Sequence, residues 1–364
     1  MAESAEMLWI DVLEHEEANE REEALELAQQ VTKLDPAHAA AWKMVARMTL
    51  PPQRRGQQEM PTLAQASTAY GALTRVVEIE PNDTESWHLG GILLVDHLGM
   101  LEEALAWWQK RRAVEPSEVT PVVEQIAILV RLGMYTEAGE LLEVLFSDGM
   151  DSPDSRQLVK MDQVRKMVSK AAKMEKDEVF RPQNPKHPRW EIINRMKTRK
   201  PLSETFFLFT FVAPIVFLIG TVAMQLLGGT QFGFILVFLI ILGLFMGVSR
   251  MGSGLLHSLN RHALDLDRAL DVETTSGKVC VPDDIRGSKL YGHLLGKRPE
   301  GFRERHEKIV DADEKIKRKW MPVLPDFTSV GDESWWGEED EPRDDSSDSD
   351  VDSDEPLELD GLED

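Results

Sequence analysis

The side chains that most often carry catalysis or bind metals are scattered along this chain rather than grouped. The histidines are spread from the first half to the last third, with His257 and His262 five positions apart. That spacing does not bring two ligands to one helix face, and a metal site needs three or four converging ligands. The sequence therefore predicts no metal site and no cofactor.

The single cysteine and the paired glycines also lack a catalytic pattern. Cys280 has no cysteine or histidine near it in sequence that would share a metal or activate its thiol. Gly252 and Gly254 follow no predicted strand, so they do not form a phosphate-binding loop. We therefore expect a binding protein rather than an enzyme, and we expect no nucleic-acid partner.

A stretch without charged side chains, between Glu204 and Arg250, is the strongest signal in the sequence. Two apolar segments, 206–227 and 232–248, are separated by a short glycine-rich turn. A helix needs about 20 apolar residues to cross a bilayer, and the second segment is short unless it is extended. We predict a two-span transmembrane helical hairpin over 205–249, the alternative being a buried hairpin of a soluble protein.

Basic residues flank both ends of this hairpin, whereas its turn carries no charge. Seven cations lie between Arg181 and Lys200, and Arg250, Arg261 and Arg268 follow the second segment. Positive flanks stay on the cytoplasmic side of a membrane. The sequence therefore predicts a two-pass integral membrane protein with both termini cytoplasmic.

The segment before the hairpin, 179–204, is predicted to be a basic linker followed by an interfacial helix. A helix with an apolar and a cationic face suits a surface of anionic lipid, and a plain positive cluster beside the membrane is the alternative. The predicted lipid contacts are Trp190, Arg195, Lys197, Arg199 and Lys200.

Two pairs of glycines in the hairpin have the spacing of close helix contacts. Gly229 and Gly233 form one pair, and Gly243 and Gly247 form the other. Small residues at this spacing let two helices approach closely. The approach can occur within the hairpin or between copies, so a homo-oligomer is one of two interpretations.

The segment 250–331 is predicted to be helical in part and irregular in part. Leucines and an alanine at heptad spacing from Leu256 to Leu270 indicate a helix that pairs as a coiled coil or packs on the chain's own helix before the hairpin. Thr274–Pro299 is rich in Gly and Pro, which favours irregular structure, and Phe302–Trp320 favours a charged helix.

Four similar units of helix, turn and helix fill the first 150 residues. Each unit has an alanine 12 positions before the end of its second helix, where the first three units have proline. Side chains four and seven positions after the alanine are mostly apolar, as on one face of a helix. Arg111 breaks this pattern, so we expect looser packing there. The four alanines are Ala24, Ala69, Ala104 and Ala138.

This pattern resembles the tetratricopeptide repeat family. The resemblance is carried by Trp87, Leu98-Gly99, Glu102-Glu103-Ala104-Leu105, Glu115-Pro116 and residues 132–138. The spacing of 34 or 35 residues in the last two units is close to the family's repeat length. The resemblance implies an all-α helical solenoid over 1–178, with about eleven extra residues at Leu50–Pro61 and a cap helix at Pro153–Lys176.

In that family the first helices of the units line a concave groove. Cations in such a groove can pair with a peptide carboxylate, and solvated helix charge is the alternative. We therefore predict a membrane-anchored adaptor for a protein or peptide; the alternative is an accessory subunit of a transport or secretion complex, with the hairpin as its working part. The resemblance implies that Trp9, Leu13, Lys43, Arg47, His88, Ile92, Val123, Ala127 and Arg131 face the groove.

The last stretch, 332–364, is acidic and rich in serine. It has 17 acidic residues and one basic residue, so it carries −16 of the chain's net charge of −23. Such a composition predicts a disordered tail. The tail either solvates the protein without a partner or binds the cations of the chain's own groove.

Overall fold

A computed structural model describes residues 4–52, 59–147, 149–171, 178–229 and 232–328, which are predominantly helical. One isolated β-bridge joins Val279 to Lys315. The acidic tail that we predict to be disordered, 332–364, lies outside the described residues.

Successive helices of the first 171 residues each pack against the next, within the part of this region that the structure describes. A π-helical turn, Leu93–Leu98, continues the fifth helix. The helices are α1 (Ala5–Glu17), α2 (Arg21–Leu34), α3 (Ala39–Thr49), α4 (Leu63–Ile79), α5 (Thr84–Ile92), α6 (Leu101–Val114), α7 (Val119–Leu132), α8 (Tyr135–Leu145) and α9 (Ser155–Ala171).

Three of the turns inside the predicted units have the same backbone geometry. Asn19, Gly99 and Gly133 have φ angles of 61°, 65° and 79°, and each lies five residues before one of the predicted alanines. Left-handed backbone favours glycine, and asparagine tolerates it. All four alanines of the predicted register are fully buried, so the turns and the alanines repeat together.

The junctions between units also repeat. The indole Nε1 of Trp42 donates to the Pro36 carbonyl at 2.9 Å, and that of Trp87 donates to the Pro81 carbonyl at 2.8 Å. Each tryptophan thus ties the start of one helix to the proline that ends the preceding helix, and the same sequence spacing gives the same contact twice.

Arg111, where we expected looser packing, is instead part of a tight junction. Its side chain is 4% exposed, its Nε donates to Glu118 at 2.6 Å and its Nη1 donates to the Pro81 carbonyl at 2.9 Å. The long side chain buries its aliphatic part while both ends of the guanidinium are paired. The departure from the apolar pattern therefore adds polar contacts.

Helix α9 covers the end of this helical array, packing on α7 and α8. It begins at Ser155, two residues after the predicted start at Pro153, and the last predicted residues, 172–176, lie outside the described residues. Met161, Val164 and Val168 are buried, whereas Leu158, in the first turn, is 52% exposed. Its neighbour Gln157 contacts α7 by donating to Thr120 at 2.8 Å.

The residues after the charge-free stretch fold back on the chain and form a second apolar core. They contain α14 (Arg261–Ser276), α15 (Asp283–Arg286), α16 (Lys289–Leu295) and α17 (Glu300–Ala312). The region that we expected to be irregular therefore holds two short helices. The helix that we predicted over Phe302–Trp320 ends at Ala312, eight residues earlier than predicted. The next residue, Asp313, has a φ of 47°.

The last three of the five heptad positions take part in this second core rather than in a coiled coil, whereas Leu259 is 43% exposed. Ala263, Leu266 and Leu270 are buried together with Trp190 and Ile193, which belong to α10 (Pro188–Met196). This is the alternative that the sequence left open, because the apolar face of α14 is covered by the helix that precedes the hairpin.

The charge-free stretch forms two helical arms that pack against each other. The first comprises α11 (Glu204–Phe207), a π-helical turn (Leu208–Val212) and α12 (Ala213–Leu227), and the second is α13 (Gly233–Leu259). Glu204–Leu227 has 24 residues with a mean hydropathy of 2.4, and it is the one helix among the described residues long and apolar enough to span a membrane. The apolar part of α13 is shorter.

The two arms are joined at their charged ends by one asparagine. The Asn260 side chain accepts from the Leu202 N–H and donates to the Leu202 carbonyl, both at 2.9 Å. Asn260 separates α13 from α14, so this double hydrogen bond lies where the apolar arm ends and the second core begins.

Candidate functional site

The predicted groove residues of the first three units form an accessible surface. Trp9 packs on His38 with ring centroids 4.8 Å apart, and His88 is exposed. Lys43 pairs with Asp83 at 3.0 Å and with Glu85 at 2.7 Å. This surface therefore combines the half-buried ring of Trp9 and the exposed ring of His88 with a paired, half-exposed cation.

The ion pairs of Lys43 raise the pKa of this lysine. Burial lowers the pKa of Lys43, but its hydrogen bonds to Glu85 and Asp83 outweigh this and raise the pKa above its ordinary value. Arg47 pairs with Glu16 of α1. Both cations therefore already have carboxylate partners from other helices.

Arg131 is the third predicted groove cation, and it has a partner far along the chain. Its Nη2 and Nε donate to the two carboxylate oxygens of Asp271, at 2.8 and 3.0 Å. Arg298 donates to the same carboxylate at 2.9 Å. Burial alone raises the pKa of Asp271, but the two guanidinium groups hold it below its ordinary value. The last unit is thus tied to α14 by a shared carboxylate.

Two further arginines, Arg268 and Arg305, also contact this end of the helical array. Arg268 donates to the Arg131 carbonyl at 3.0 Å and its guanidinium lies 5.4 Å from the ring centroid of Tyr135. Arg305 of α17 donates to the Leu98 carbonyl at 2.8 Å. Both arginines satisfy carbonyl groups at the ends of helical segments, which lack partners within a helix.

A buried polar cluster between α6 and α7 has no counterpart in our sequence-based predictions. It contains Gln109, Arg112 and Gln125, which are 4%, 2% and 0% exposed. Gln125 Nε2 donates to Gln109 Oε1 at 3.0 Å, and Arg112 Nη1 lies 3.2 Å from the same oxygen. The only signal in the sequence is polar side chains within otherwise apolar helix faces. We call this cluster the Arg112 pocket.

A second buried cluster is centred on Glu273, which is fully buried. The carboxylate accepts from the backbone N–H groups of Cys280 and Val281 at 2.6 and 2.7 Å, lies 2.9 Å from His306 Nε2 and pairs with Arg286. Its hydrogen-bond capacity is used by these partners, so the cluster fixes the turn after α14. Burial also raises the pKa of the Cys280 thiol, which makes it a poor nucleophile.

A cavity of about 530 Å³ lies where α7, α13 and α14 meet. Apolar side chains such as Met167, Phe180 and Leu264 line it together with Arg268 and Tyr135. Because Arg268 is engaged with carbonyl groups of α7, the cavity offers mainly an apolar surface.

The structure changes the predicted lipid surface. Trp190 is 5% exposed, with Phe180 packed edge-on against it at 5.0 Å between ring centroids. The ring faces the second core because α14 supplies an apolar surface that the sequence of α10 alone does not reveal. Arg199 and Lys200 are exposed, Arg195 pairs with Glu191 and Lys197 pairs with Asp284.

The glycines of the hairpin divide into two groups. Gly233 is buried, and a Cβ at Gly220, which the sequence did not single out, would lie 3.0 Å from Ile241. A Cβ at Gly243 or Gly247 would meet nothing within 4 Å, and Gly229 is equally open. A Cβ at Gly252 of α13 would lie 2.8 Å from the Phe207 ring of the first arm. The close contacts between the arms are therefore made at Gly220 and Gly252, and not at Gly243 or Gly247.

Within the described residues, no group of three or more His, Cys, Asp or Glu side chains is placed to hold a metal ion. Neither a protein-family model nor a curated protein matches this chain.

Proposed function

We propose that this chain is a membrane-anchored adaptor that binds a protein or peptide through tetratricopeptide-like repeats. The observation that carries the proposal is the recurrence, in three units, of a left-handed turn residue five positions before a fully buried alanine. Helical repeats of this kind stack into extended concave surfaces, and such surfaces serve binding rather than catalysis.

The anchor in this proposal is a two-span hairpin made by Glu204–Leu227 and the apolar part of α13. Large apolar side chains on both arms are exposed, including Phe217 at 77% and Phe238 at 58%. Exposed apolar surface of this extent on a helix that can span a bilayer suits lipid. The basic residues on both sides of the hairpin favour a cytoplasmic location for both termini and for the repeats.

The binding surface in this proposal is the first half of the concave face, with Trp9, Lys43, Arg47 and His88. The two rings supply apolar contact and the cations favour an acidic partner. Arg131 belongs to the other half, where Asp271 already occupies it.

A second candidate function is an accessory subunit of a membrane complex. It is favoured by Gly243 and Gly247, which leave one side of α13 open to a close helix neighbour. In that case the hairpin, and not the repeats, would make the essential contact.

A photo-crosslinking experiment in native membranes separates the two candidates. A photoreactive amino acid replaces Leu13 or His88 on the concave face, Lys110 on the exposed side of α6, or Phe217 on α12. An adaptor gives the same crosslinked partner from Leu13 and His88 and not from Lys110.

Crosslinks to one protein from Phe217, with none from Leu13 or His88, would instead establish the subunit function. Deletion of residues 1–178 provides the matching test, because an adaptor then loses its partner whereas a hairpin subunit keeps its complex.

A further inference from the structure

The Arg112 pocket contains a buried cation without a carboxylate. Among the described residues, Arg112 makes no ion pair, and its Nε has no hydrogen-bond partner. Its Nη1 reaches only neutral oxygens, those of Gln109, Gln125 and Phe327. Buried charges in proteins are normally paired, because removal from water is otherwise uncompensated. Burial accordingly lowers the pKa of Arg112.

The pocket is covered by the chain's own segment Pro322–Phe327, which is neither helix nor strand. Gln109 Nε2 donates to the Asp326 carbonyl at 3.0 Å, whereas Arg112 Nη1 is 3.5 Å from the Phe327 carbonyl. The second distance lies beyond the usual hydrogen-bond range. The segment thus offers Arg112 a neutral carbonyl oxygen at 3.5 Å, whereas a buried guanidinium is normally paired with an anion.

The side chains of the covering segment resemble those of a peptide laid along a surface. Leu324 and Phe327 are partly buried against the repeat core, whereas Met321 and Val323 are 41% and 49% exposed. Two prolines keep the chain extended, which lowers the entropy lost when such a segment binds.

We propose that the Arg112 pocket is the docking site for an extended partner peptide whose carboxylate pairs with Arg112, and that Pro322–Phe327 occupies the site until the peptide displaces it. This inference goes beyond the proposed adaptor function, because the pocket is a second site, separate from the surface of Trp9, Lys43, Arg47 and His88. The partner offers a carboxylate where the covering segment offers the Phe327 carbonyl, with apolar side chains at the positions of Leu324 and Phe327.

Competition between the two ligands sets a threshold. A tethered segment acts at an effective concentration of roughly millimolar, so a peptide must bind better than the segment to replace it. The Arg112 guanidinium is charged with either ligand, but a carboxylate adds a Coulombic attraction that a neutral carbonyl lacks, and this attraction is only weakly screened in a buried site. Replacing the carbonyl by a carboxylate is therefore expected to strengthen binding at least about tenfold.

The test uses the full-length chain in lipid nanodiscs and a labelled synthetic peptide with the sequence of Trp320 to Phe327. The peptide is made with a free terminal carboxylate or with an amide, so that only one form presents an anion to Arg112. Binding is measured by fluorescence anisotropy. The opened variant carries Leu324→Ala and Phe327→Ala; the matched control carries Met321→Ala and Val323→Ala, two truncations on the exposed side of the same segment.

The acid peptide is expected to bind the opened variant at least about tenfold more tightly than it binds the wild type or the control variant. The amide peptide is expected to bind the opened variant about tenfold more weakly than the acid peptide. Arg112→Gln in the opened variant should remove the difference between the two peptides. Equal binding of acid and amide, or no gain on opening, overturns the proposal.

Two further measurements keep the test decisive if the opened variant loses its fold. Replacement of residues 321–328 by glycine and serine removes the whole covering segment, and it should give the same acid-to-amide ratio. In the wild type, saturating acid peptide should increase hydrogen exchange in 321–328, and unchanged exchange contradicts displacement. Failure of these assays leaves the crosslinks from Leu13 and His88 unaffected, so the two proposals fail separately.

Discussion

The first and last units of the repeat region present cations on the same side of the helices but in different surroundings. In the first units, Lys43 and Arg47 pair with carboxylates of neighbouring helices and their side chains are 40% and 55% exposed. In the last unit, Arg131 shares a buried carboxylate with Arg298, and in the third unit Arg112 is enclosed. The difference arises because residues more than a hundred positions away, among them Asp271 and Arg298, pair with the cation of the last unit, whereas Lys43 and Arg47 pair within the repeat region.

The largest expected effect is the loss of the shared carboxylate. Asp271→Ala leaves Arg131 and Arg298 without it, and breaking a buried ion pair costs about 3–5 kcal/mol. The measurement is the free energy of unfolding of the full-length chain in detergent. Asp96→Ala is the control, because Asp96 is 58% exposed and 3.7 Å from Arg131, and it should cost less than about 1 kcal/mol. Equal costs would show that this cluster does not hold the covered end.

A smaller effect on stability is expected at Gly99 and Gly133, two glycines with similar positive φ angles. Gly99→Ala and Gly133→Ala both place a side chain at positive φ, which costs about 1–2 kcal/mol. At Gly99 the new Cβ would also lie 2.6 Å from the Phe302 ring, which adds about 1–3 kcal/mol of overpacking. At Gly133 the nearest atom is 3.4 Å away, on Arg268. Thermal denaturation should rank Gly99→Ala as the more harmful, and the reverse order would place α17 elsewhere.

Acid should weaken the covered end of the array. The pKa of Asp271 in the folded chain lies below its ordinary value of 3.8, because Arg131 and Arg298 outweigh the effect of burial. A depressed carboxyl pKa contributes stability above the unfolded-state value and loses it as the pH falls through the folded value. The stability advantage of wild type over Asp271→Asn should therefore shrink below about pH 4. An advantage independent of pH would contradict the charged pairing.

The smallest effect is expected at the accessible end. Lys43→Ala removes a pair whose lysine is 40% exposed, so it should change the free energy of unfolding by less than about 1 kcal/mol. High salt should reduce even this difference, because exposed pairs are screened. A cost similar to that of Asp271→Ala would erase the contrast between the two ends.

Local pattern predicted much of the helical framework. The register of Ala24, Ala69, Ala104 and Ala138 follows from spacing alone, because a buried face recurs with the helical period. Arg111 shows the limit of this rule. It lies at a position where the pattern predicts an apolar residue, and it fits there because its aliphatic part is buried and its guanidinium is paired.

What covers each apolar or charged face could not be read from local sequence. The spacing of Trp190 and Ile193 predicts an apolar face on α10 but does not say whether lipid or α14 covers it. Arg131 and Asp271 are 140 positions apart, and neither residue's neighbours point to the other. The glycine spacing likewise drew attention to Gly243 and Gly247, whereas the arms approach each other closely at Gly220 and Gly252.

The double hydrogen bond between Asn260 and Leu202 has a mechanical consequence. A pull on the repeats passes through α14 to Asn260, and this residue belongs to the end of one arm while holding the start of the other. The load is then divided between the two arms, because both hydrogen bonds must break together before α13 can be drawn out alone. In the proposed membrane-spanning hairpin, the two arms would therefore resist extraction together, and Asn260→Ala would remove this link while the Arg189–Asp265 pair between α10 and α14 remains.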